Sequence, residues 1–185
     1  MFNFWQLISV ETVQKSPQAA VIFREPECMN WLDRISESNS ILSAILAVIH
    51  PELYDAGLKT FNRLRQHAKI GSENVLHRWT SVFNGVSVIS NRVTPPHRDG
   101  DSRRQWYDLV ASIGSYENCN MELPGLGFSL EYGPGTVVGL AGATLEHAVP
   151  YFEGERVCYA YWMRDSVHEW AQVPAHSWMK TDYYR

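Results

Sequence analysis

The chain has 185 residues, of which 45% are hydrophobic and 19% charged, a composition that excludes a disordered or coiled-coil protein and allows one substantial core. The formal net charge is -4 at pH 7, so no global positive field attracts nucleic acid, although a local basic groove is compatible with this charge. We therefore predict a single folded domain spanning residues 1–185.

Cysteine usage and the start of the chain indicate an intracellular protein. Cys28, Cys119 and Cys158 are odd in number and show no CxxC spacing, which favours a reducing compartment over a disulfide framework or a zinc site. The first residues form a poor secretory signal because they carry no basic segment, and the longest apolar run, residues 41–49, is too short to span a bilayer. We expect localisation in the cytoplasm or nucleus and no membrane partner.

The first third of the chain is predicted to be mainly helical after a first strand at residues 19–23. Between residues 27 and 50 apolar side chains recur at helical spacing, with an interruption predicted at 36–40, where Asn39 or Ser40 would cap the second helix. Pro51 is predicted to end that helix and to open the next, which runs to about Gln66.

From about residue 71 the pattern changes to short segments rich in β-branched residues. The predicted strands cover 82–90, the segment around His97, 106–113, 128–132, 136–140 and 155–163, whereas 121–126 is predicted as a loop. Helices followed by short antiparallel strands predict an α+β fold whose second part is a sandwich or jelly roll. Residues 1–70 would form the helical support and residues 71–185 the β core.

The most informative segment runs from Thr94 to Gly100 and contains His97-Arg98-Asp99. In an extended strand alternate side chains share a face, so His97 and Asp99 would project together while Arg98 points the opposite way. An imidazole beside a carboxylate makes two thirds of the 2-His-1-carboxylate triad that suits non-haem Fe(II). A lone HxD pattern is weak, so the prediction needs a second histidine.

His147 is the best candidate for that second histidine. It lies 50 residues after His97, follows a glycine-containing turn, and precedes Arg156 by nine residues. An arginine at the start of a strand is more often a surface charge, but its coupling to His147 favours a binding role. Arg164 is the reserve candidate.

The order His97-Arg98-Asp99, His147, Arg156 resembles the signature of Fe(II)- and 2-oxoglutarate-dependent dioxygenases. The local sequence motifs are most similar to those of the fungal branch of the Tet/JBP-like nucleic-acid-modifying oxygenases. The segments that carry this resemblance are Pro95-Pro96-His97-Arg98-Asp99, Trp106-Tyr107-Asp108, Pro134-Gly135-Thr136-Val137-Val138 and Leu145-Glu146-His147-Ala148-Val149. The resemblance implies a double-stranded β-helix, a jelly-roll relative, with helices supporting it on the N-terminal side.

The resemblance also implies roles for individual residues. His97, Asp99 and His147 would hold Fe(II), with the remaining coordination positions open to 2-oxoglutarate and O2. Arg156 would bind the distal carboxylate of 2-oxoglutarate through two parallel hydrogen bonds. Cys158 lies on the same strand face as Arg156 and would contact the same carboxylate region.

The function implied by the resemblance is hydroxylation of a C–H bond coupled to oxidative decarboxylation of 2-oxoglutarate. A methylated nucleobase is the candidate substrate, flipped from a duplex or presented in a single strand. Three alternatives stay open: a catalytically degenerate binding module, an oxygenase of a small molecule or peptide side chain, and a cupin-type metalloprotein that does not use 2-oxoglutarate.

Several further residues have a functional and a structural interpretation. Arg103 and Arg104 would contact phosphate or form a solvated loop, and Asn91 would bind a ligand or form a turn. Trp106 would stack on a base or pack in the core, and core packing is the usual role of aromatic residues in strands. The remaining histidines lack ligand spacing.

Overall fold

The computed structural model describes residues 3–5, 8–9, 18–19, 25–67, 73–100, 102–180 and 182. The chain divides into two compact units. Residues 1–4 and 86–162 form one, which we name the sheet unit, and residues 5–85 and 163–185 form the other, which we name the helical unit.

Five helices and a short pair of strands make up the described part of the helical unit. The helices are α1 (Pro26–Arg34), α2 (Ser36–Ile49), α3 (Pro51–His67), α4 (Glu73–Arg78) and α5 (Asp165–Trp170), and β2 (Ile8–Ser9) pairs antiparallel with β3 (Gln18–Ala19). His50 caps α3, because its Nδ1 accepts a hydrogen bond from the Leu53 backbone N–H at 3.3 Å. None of the helices in the described ranges is long and apolar enough to cross a membrane.

The predicted interruption at residues 36–40 is wrong. The helix breaks only at Ile35, and the polar residues that follow lie within α2. Ser40 Oγ donates to the Ser36 carbonyl at 3.0 Å and Ser43 Oγ donates to the Asn39 carbonyl at 2.7 Å, so hydroxyl groups that often favour a cap are satisfied inside the helix. Asn39 is buried in α2 and does not cap it.

One other predicted helix is confirmed, and two short helices were not predicted. The helix that Pro51 opens is confirmed, whereas α4 and α5 were not predicted because six residues are too few for a clear period. Of the first predicted strand, Ala19 lies in β3 and residues 20–23 lie outside the described residues.

The described residues of the sheet unit form two sheets. The strands are β1 (Asn3–Trp5), β4 (Gly85–Ser90), β5 (Thr94–His97), β6 (Asp108–Glu117), β7 (Asn120–Leu123), β8 (Phe128–Glu131), β9 (Val137–Leu140), β10 (His147–Val149) and β11 (Glu153–Trp162). One sheet has the order β1-β4-β11-β6-β9 and the other the order β5-β10-β7-β8. The α+β prediction is therefore confirmed.

The core of the sheet unit lies between these two sheets. Its buried cluster combines Val110 and Cys158 from the five-stranded sheet with Met121, Leu123 and Val149 from the four-stranded sheet. Burial of apolar surface from both sheets is the main stabilising contribution of such a layered arrangement.

The predicted loop at 121–126 is wrong in its first half. Residues 120–123 form β7, in which Met121 and Leu123 are buried and Asn120 is exposed, so the period-two alternation of a strand is present but short. A 3-10 turn at Pro124–Leu126 follows. The three-residue strand β10 was also missed, because a run so short has no readable period.

Two prolines make β5 suitable for the edge of its sheet. Pro95 and Pro96 carry no backbone N–H and cannot donate to a neighbouring strand, and within the described residues β5 pairs with β10 alone. Prolines on an edge also oppose pairing with another chain.

Replacing Gly57 by alanine tests the packing of α3. A Cβ at this position would lie 2.6 Å from the Val82 carbonyl oxygen and 2.8 Å from Met163 Cε. Although alanine favours helices by about 1 kcal/mol, the clash with backbone should dominate, and we expect Gly57→Ala to lower the free energy of unfolding by about 1–3 kcal/mol in denaturant titrations.

Gly125→Ala is the matched control, because a Cβ at Gly125 would meet nothing within 4 Å. We expect its free energy of unfolding to stay within about 0.5 kcal/mol of the wild type. Equal stability of the two variants would contradict the close approach of α3 to Val82.

Candidate metal centre and anion site

Strand pairing brings the two candidate histidines together. β10 runs antiparallel to β5 with His147 directly opposite His97, and the two imidazole centroids are 4.3 Å apart at an angle of 49°. His147 is buried and His97 is half-buried. The separation of 50 residues along the chain is thus closed by one pair of strands.

Backbone carbonyls select the same tautomer in both histidines. His97 Nδ1 lies 3.0 Å from the Pro95 carbonyl oxygen and His147 Nδ1 lies 3.0 Å from the Leu145 carbonyl oxygen. A carbonyl can only accept, so each Nδ1 carries a proton and donates it. In the neutral ring each Nε2 then presents a lone pair, which is the arrangement that metal-binding histidines use.

Asp99 completes the group from just outside the strand. Its carboxylate oxygens lie 3.6 Å from His97 Nε2 and 3.7 Å from His147 Nε2, and one ligand atom from each of the three residues lies within 4.8 Å of the others. The prediction of an extended strand through Asp99 is wrong, because β5 ends at His97. Instead, the Asp99 backbone N–H donates to the Gly142 carbonyl at 3.0 Å.

Gly142 leaves the space that the carboxylate occupies. A Cβ on this buried residue would overlap Asp99 Oδ2 and would lie 2.7 Å from Asp108 Oδ2. The requirement at position 142 is therefore the absence of a side chain.

Asp108 is a buried carboxyl group beside this centre. Its oxygens make no hydrogen bond to any side chain in the described ranges. Burial, and then the charge of Asp99, raise the pKa of Asp108 well above its ordinary value, while the Gly142 backbone N–H lowers it in part. Burial and the neighbouring Asp99 charge thus shift the equilibrium of Asp108 toward its neutral form.

The donor set fits a divalent transition metal. Two imidazole nitrogens and one carboxylate are the ligands of the facial triad that suits Fe(II). The side chains of His97 and Asp99 are 38% and 41% exposed, against 10% for His147, so the group is open to solvent on one side. That openness leaves room for further ligands.

Arg156 forms a second polar feature in the sheet unit. It is the fourth residue of β11 and is 3% exposed, with its guanidinium carbon 5.1 Å from the ring centre of Tyr132 and 5.6 Å from that of Phe152. No Asp or Glu in the described part of the chain forms an ion pair with it. A buried cation without an acidic partner is costly, and an anionic ligand would offset that cost.

Asn91 fixes the strand that carries Arg156. The Asn91 Oδ1 accepts a hydrogen bond from the Arg156 backbone N–H at 2.7 Å, and the Asn91 backbone N–H donates to the Arg156 carbonyl at 2.8 Å. Its Nδ2 also donates to the Glu155 carboxylate, and its φ of 49° is left-handed. These contacts favour the turn interpretation of Asn91 over ligand binding.

Cys158 lies two residues beyond Arg156 on the same face of β11. Its Sγ is 3.7 Å from Tyr132 Oη, and burial raises the pKa of its thiol, while the Arg156 charge opposes that rise. Like Cys28 and Cys119, it is buried and forms no disulfide.

The remaining candidates lie in the segment after Asp99. Trp106 is 1% exposed and therefore packs in the core, with the Arg103 guanidinium 5.9 Å from its ring centre. Arg104 is exposed. Arg98 points toward the loop before β10, where its Nε donates to the Thr144 carbonyl at 3.0 Å.

Four residues of these two sites were missed in the sequence. Asp108 enters the sequence prediction only as part of a segment that carries the family resemblance, and Ser112, Tyr116 and Tyr132 have no predicted role. All four face the core from strands or strand ends, and isolated polar residues at such positions carry no recognisable motif. A buried aspartate in the apolar start of β6 is the one signal that the sequence offered.

Comparisons with known proteins agree with this arrangement. The family model Tet_JBP, described as the oxygenase domain of the 2OGFeDO superfamily, matches residues 11–165. No curated protein matches the chain in sequence.

A solved structure, NgTET1 in complex with 5mC DNA, is similar with a TM-score of 0.63 and 14% sequence identity. The similarity covers 99% of this chain and 67% of that one. At this identity the similarity shows the fold, so the double-stranded β-helix prediction is confirmed. With the family model matching most of its length, the chain belongs to the Tet/JBP family, whose domain is an oxygenase domain of the 2OGFeDO superfamily.

Proposed function

We propose that this protein is an Fe(II)- and 2-oxoglutarate-dependent dioxygenase that hydroxylates a C–H bond. The observation that carries the proposal is the convergence of ligand atoms from His97, Asp99 and His147 within 4.8 Å. These three residues would bind Fe(II), and Arg156 with Cys158 would bind the distal carboxylate of 2-oxoglutarate. Membership of the Tet/JBP family supports both assignments.

The bound iron and 2-oxoglutarate would supply the activation of O2 that inserts one oxygen atom into the substrate, with release of succinate and CO2. The protein's own residues orient the components. Carbonyls of Pro95 and Leu145 hold the two imidazoles with Nε2 toward the centre, and the Gly142 carbonyl holds the backbone of Asp99. The aromatic rings around Arg156 exclude water from its charge, which strengthens its attraction to a carboxylate.

We propose a methylated base in DNA or RNA as the substrate. Support comes from the family and from the similar structure, which contains NgTET1 with 5mC DNA. Arg103 and Arg104 follow the metal strand closely in sequence and would contact phosphate groups. Because the net charge is -4, few phosphates would be neutralised and the salt dependence of binding should be modest.

That same net charge favours the second candidate, an oxygenase of a small molecule or a peptide side chain. A catalytically degenerate binding module is the third. Production of succinate from 2-oxoglutarate in the presence of iron distinguishes an active oxygenase from this third candidate, whether or not a substrate is known.

Alanine at any of the three candidate ligands should remove Fe(II) binding. We expect His97→Ala, Asp99→Ala and His147→Ala each to weaken Fe(II) by more than about 100-fold, since even outer partners of ligands contribute roughly 10–100-fold. Anaerobic calorimetry measures the affinity, and thermal unfolding confirms that each variant is folded. His77→Ala, an exposed histidine on α4, is the control. Wild-type affinity in any triad variant would remove that residue from the site.

Loss of the Arg156 guanidinium should weaken 2-oxoglutarate. We expect Arg156→Ala to cost about 2–4 kcal/mol in binding, because a buried carboxylate would lose its partner, and Arg156→Lys to recover only part of this cost. Titration of 2-oxoglutarate into the Fe(II)-loaded protein under nitrogen measures the change.

Arg164→Ala is the control for Arg156, because Arg164 precedes α5 and its backbone N–H donates to Asn84 Oδ1 at 2.8 Å. We expect near-wild-type affinity for 2-oxoglutarate. A damaging Arg164→Ala beside a silent Arg156→Ala would reverse the assignment.

The nucleic-acid proposal predicts that Arg103→Ala with Arg104→Ala abolishes oxidation of a methylated oligonucleotide but keeps succinate formation from 2-oxoglutarate alone. Mass spectrometry of the digested oligonucleotide measures the oxidised base. Arg34→Ala with Lys59→Ala removes the same charge from the helical unit and should leave oxidation intact. If the wild type forms succinate but oxidises no base in DNA or RNA, the substrate is not a nucleic acid.

A further inference from the structure

A chain of three hydrogen bonds runs from Arg156 into the core of the sheet unit. Arg156 Nε lies 2.9 Å from Ser112 Oγ, Ser112 Oγ lies 2.7 Å from Tyr116 Oη, and Tyr116 Oη lies 2.9 Å from the Tyr132 carbonyl oxygen. The other three residues of this hydrogen-bond chain, Ser112, Tyr116 and Tyr132, are at most 5% exposed. Water therefore does not compete for these groups.

The geometry of these contacts identifies the donors. Tyr116 Oη is positioned to donate to the Tyr132 carbonyl and to Ser112 Oγ, and its single hydroxyl proton serves one of these acceptors at a time. Ser112 Oγ accepts from Tyr116 Oη and from Arg156 Nε–H through its two lone pairs. Arg156 has only donors, which is consistent with its role at the end of this hydrogen-bond chain. Successive bonds in such a buried chain polarise and strengthen one another.

The hydrogen-bond chain occupies one edge of the Arg156 guanidinium group. A guanidinium can bind a carboxylate in two parallel hydrogen bonds either through Nε with one Nη or through Nη1 with Nη2. Since Nε–H donates to Ser112, the first mode is blocked, and a ligand would use the Nη1–Nη2 edge in the company of the Tyr132 phenol and the Cys158 thiol, which also hydrogen-bond to Arg156. The rings of Tyr116, Tyr132 and Phe152, whose centres lie 6.0, 5.1 and 5.6 Å from the guanidinium carbon, oppose its rotation.

We propose that Ser112 and Tyr116 are positioning residues that restrict Arg156 to end-on recognition of a carboxylate and thereby set the length of dicarboxylate that the site accepts. The proposal rests on the proposed binding of 2-oxoglutarate. Asn91 holds the backbone of Arg156 and Ser112 holds its Nε, so the guanidinium cannot shift to meet a shorter or longer ligand. Freeing Nε should relax this selection more than it weakens binding of the matching ligand.

The first measurement compares three 2-oxo dicarboxylates that differ by one methylene: oxaloacetate, 2-oxoglutarate and 2-oxoadipate. Each is titrated by calorimetry into the Fe(II)-loaded protein under nitrogen. We expect the wild type to prefer 2-oxoglutarate by about 10-fold or more over each neighbour. Ser112→Ala and Tyr116→Phe should each reduce that preference by about 3-fold or more, the size of one hydrogen bond.

Two control variants come from the same strands. Ser115→Ala removes an exposed hydroxyl from β6, and Tyr159→Phe removes a hydroxyl from a β11 residue that lies on the strand face opposite Arg156. Both should keep the wild-type preference. A purely structural role of Ser112 and Tyr116 would lower the affinity for all three ligands by the same factor.

The second measurement needs no ligand. The Nε–H resonance of Arg156, identified in a ¹⁵N spectrum by its loss in Arg156→Lys, should exchange slowly with water in the wild type. Ser112→Ala should accelerate this exchange by about 10-fold or more, because the buried acceptor is gone. Exchange as fast as that of an exposed arginine in the wild type would overturn the hydrogen-bond chain.

The outcomes separate this inference from the proposed function. If 2-oxoglutarate binds and Arg156→Ala weakens binding as expected, but Ser112→Ala keeps the full preference for ligand length, the positioning role is overturned while the proposed function stands. If the wild type binds none of the three ligands, both fail, and the exchange measurement still reports whether the chain itself exists.

Discussion

The direct pairing of His147 with His97 across β10 and β5 is the constraint on which the candidate metal centre depends. In an antiparallel pair opposite side chains share a face, so one register places both imidazoles together, and a slip of one residue would send one of them to the other face. The Nδ1 contacts to the Pro95 and Leu145 carbonyls are local, because each carbonyl lies two residues before its histidine, and they orient each imidazole within its own segment. Asp99 and Gly142 are then held by one backbone hydrogen bond just beyond the two strands.

The core of the sheet unit also holds polar groups that an apolar core would exclude. β6 places Asp108 and Ser112 on one face, four residues apart, and β11 adds Arg156 beside Ser112. Each group carries a desolvation cost, which the protein offsets in a different way. Burial raises the pKa of Asp108, whereas the Arg156 guanidinium is surrounded by aromatic faces and a hydrogen-bonded serine.

The candidate ligands were predictable from sequence because their chemistry is encoded in residue type. A histidine two residues before an aspartate, a distant histidine and a following arginine form a pattern that few other sites share, and the structure brings the first three together. The strands that carry them were harder to predict. β10 has three residues and Asp99 lies after the end of β5, so neither follows from alternation, and both positions depend on long-range pairing. The polar chain behind Arg156 joins β6 to the end of β8, a contact that no local pattern reports.

The edge position of β5 gives the two histidines unequal local stability. β10 is flanked by β5 and β7, while β5 has one neighbour among the described strands and includes Pro95 and Pro96, which contribute no N–H to the pairing. Fluctuations that open the sheet at this edge would therefore release His97 before His147. The time for which the two imidazoles stay together would therefore be governed by fraying of the proline strand and not by the buried half of the site.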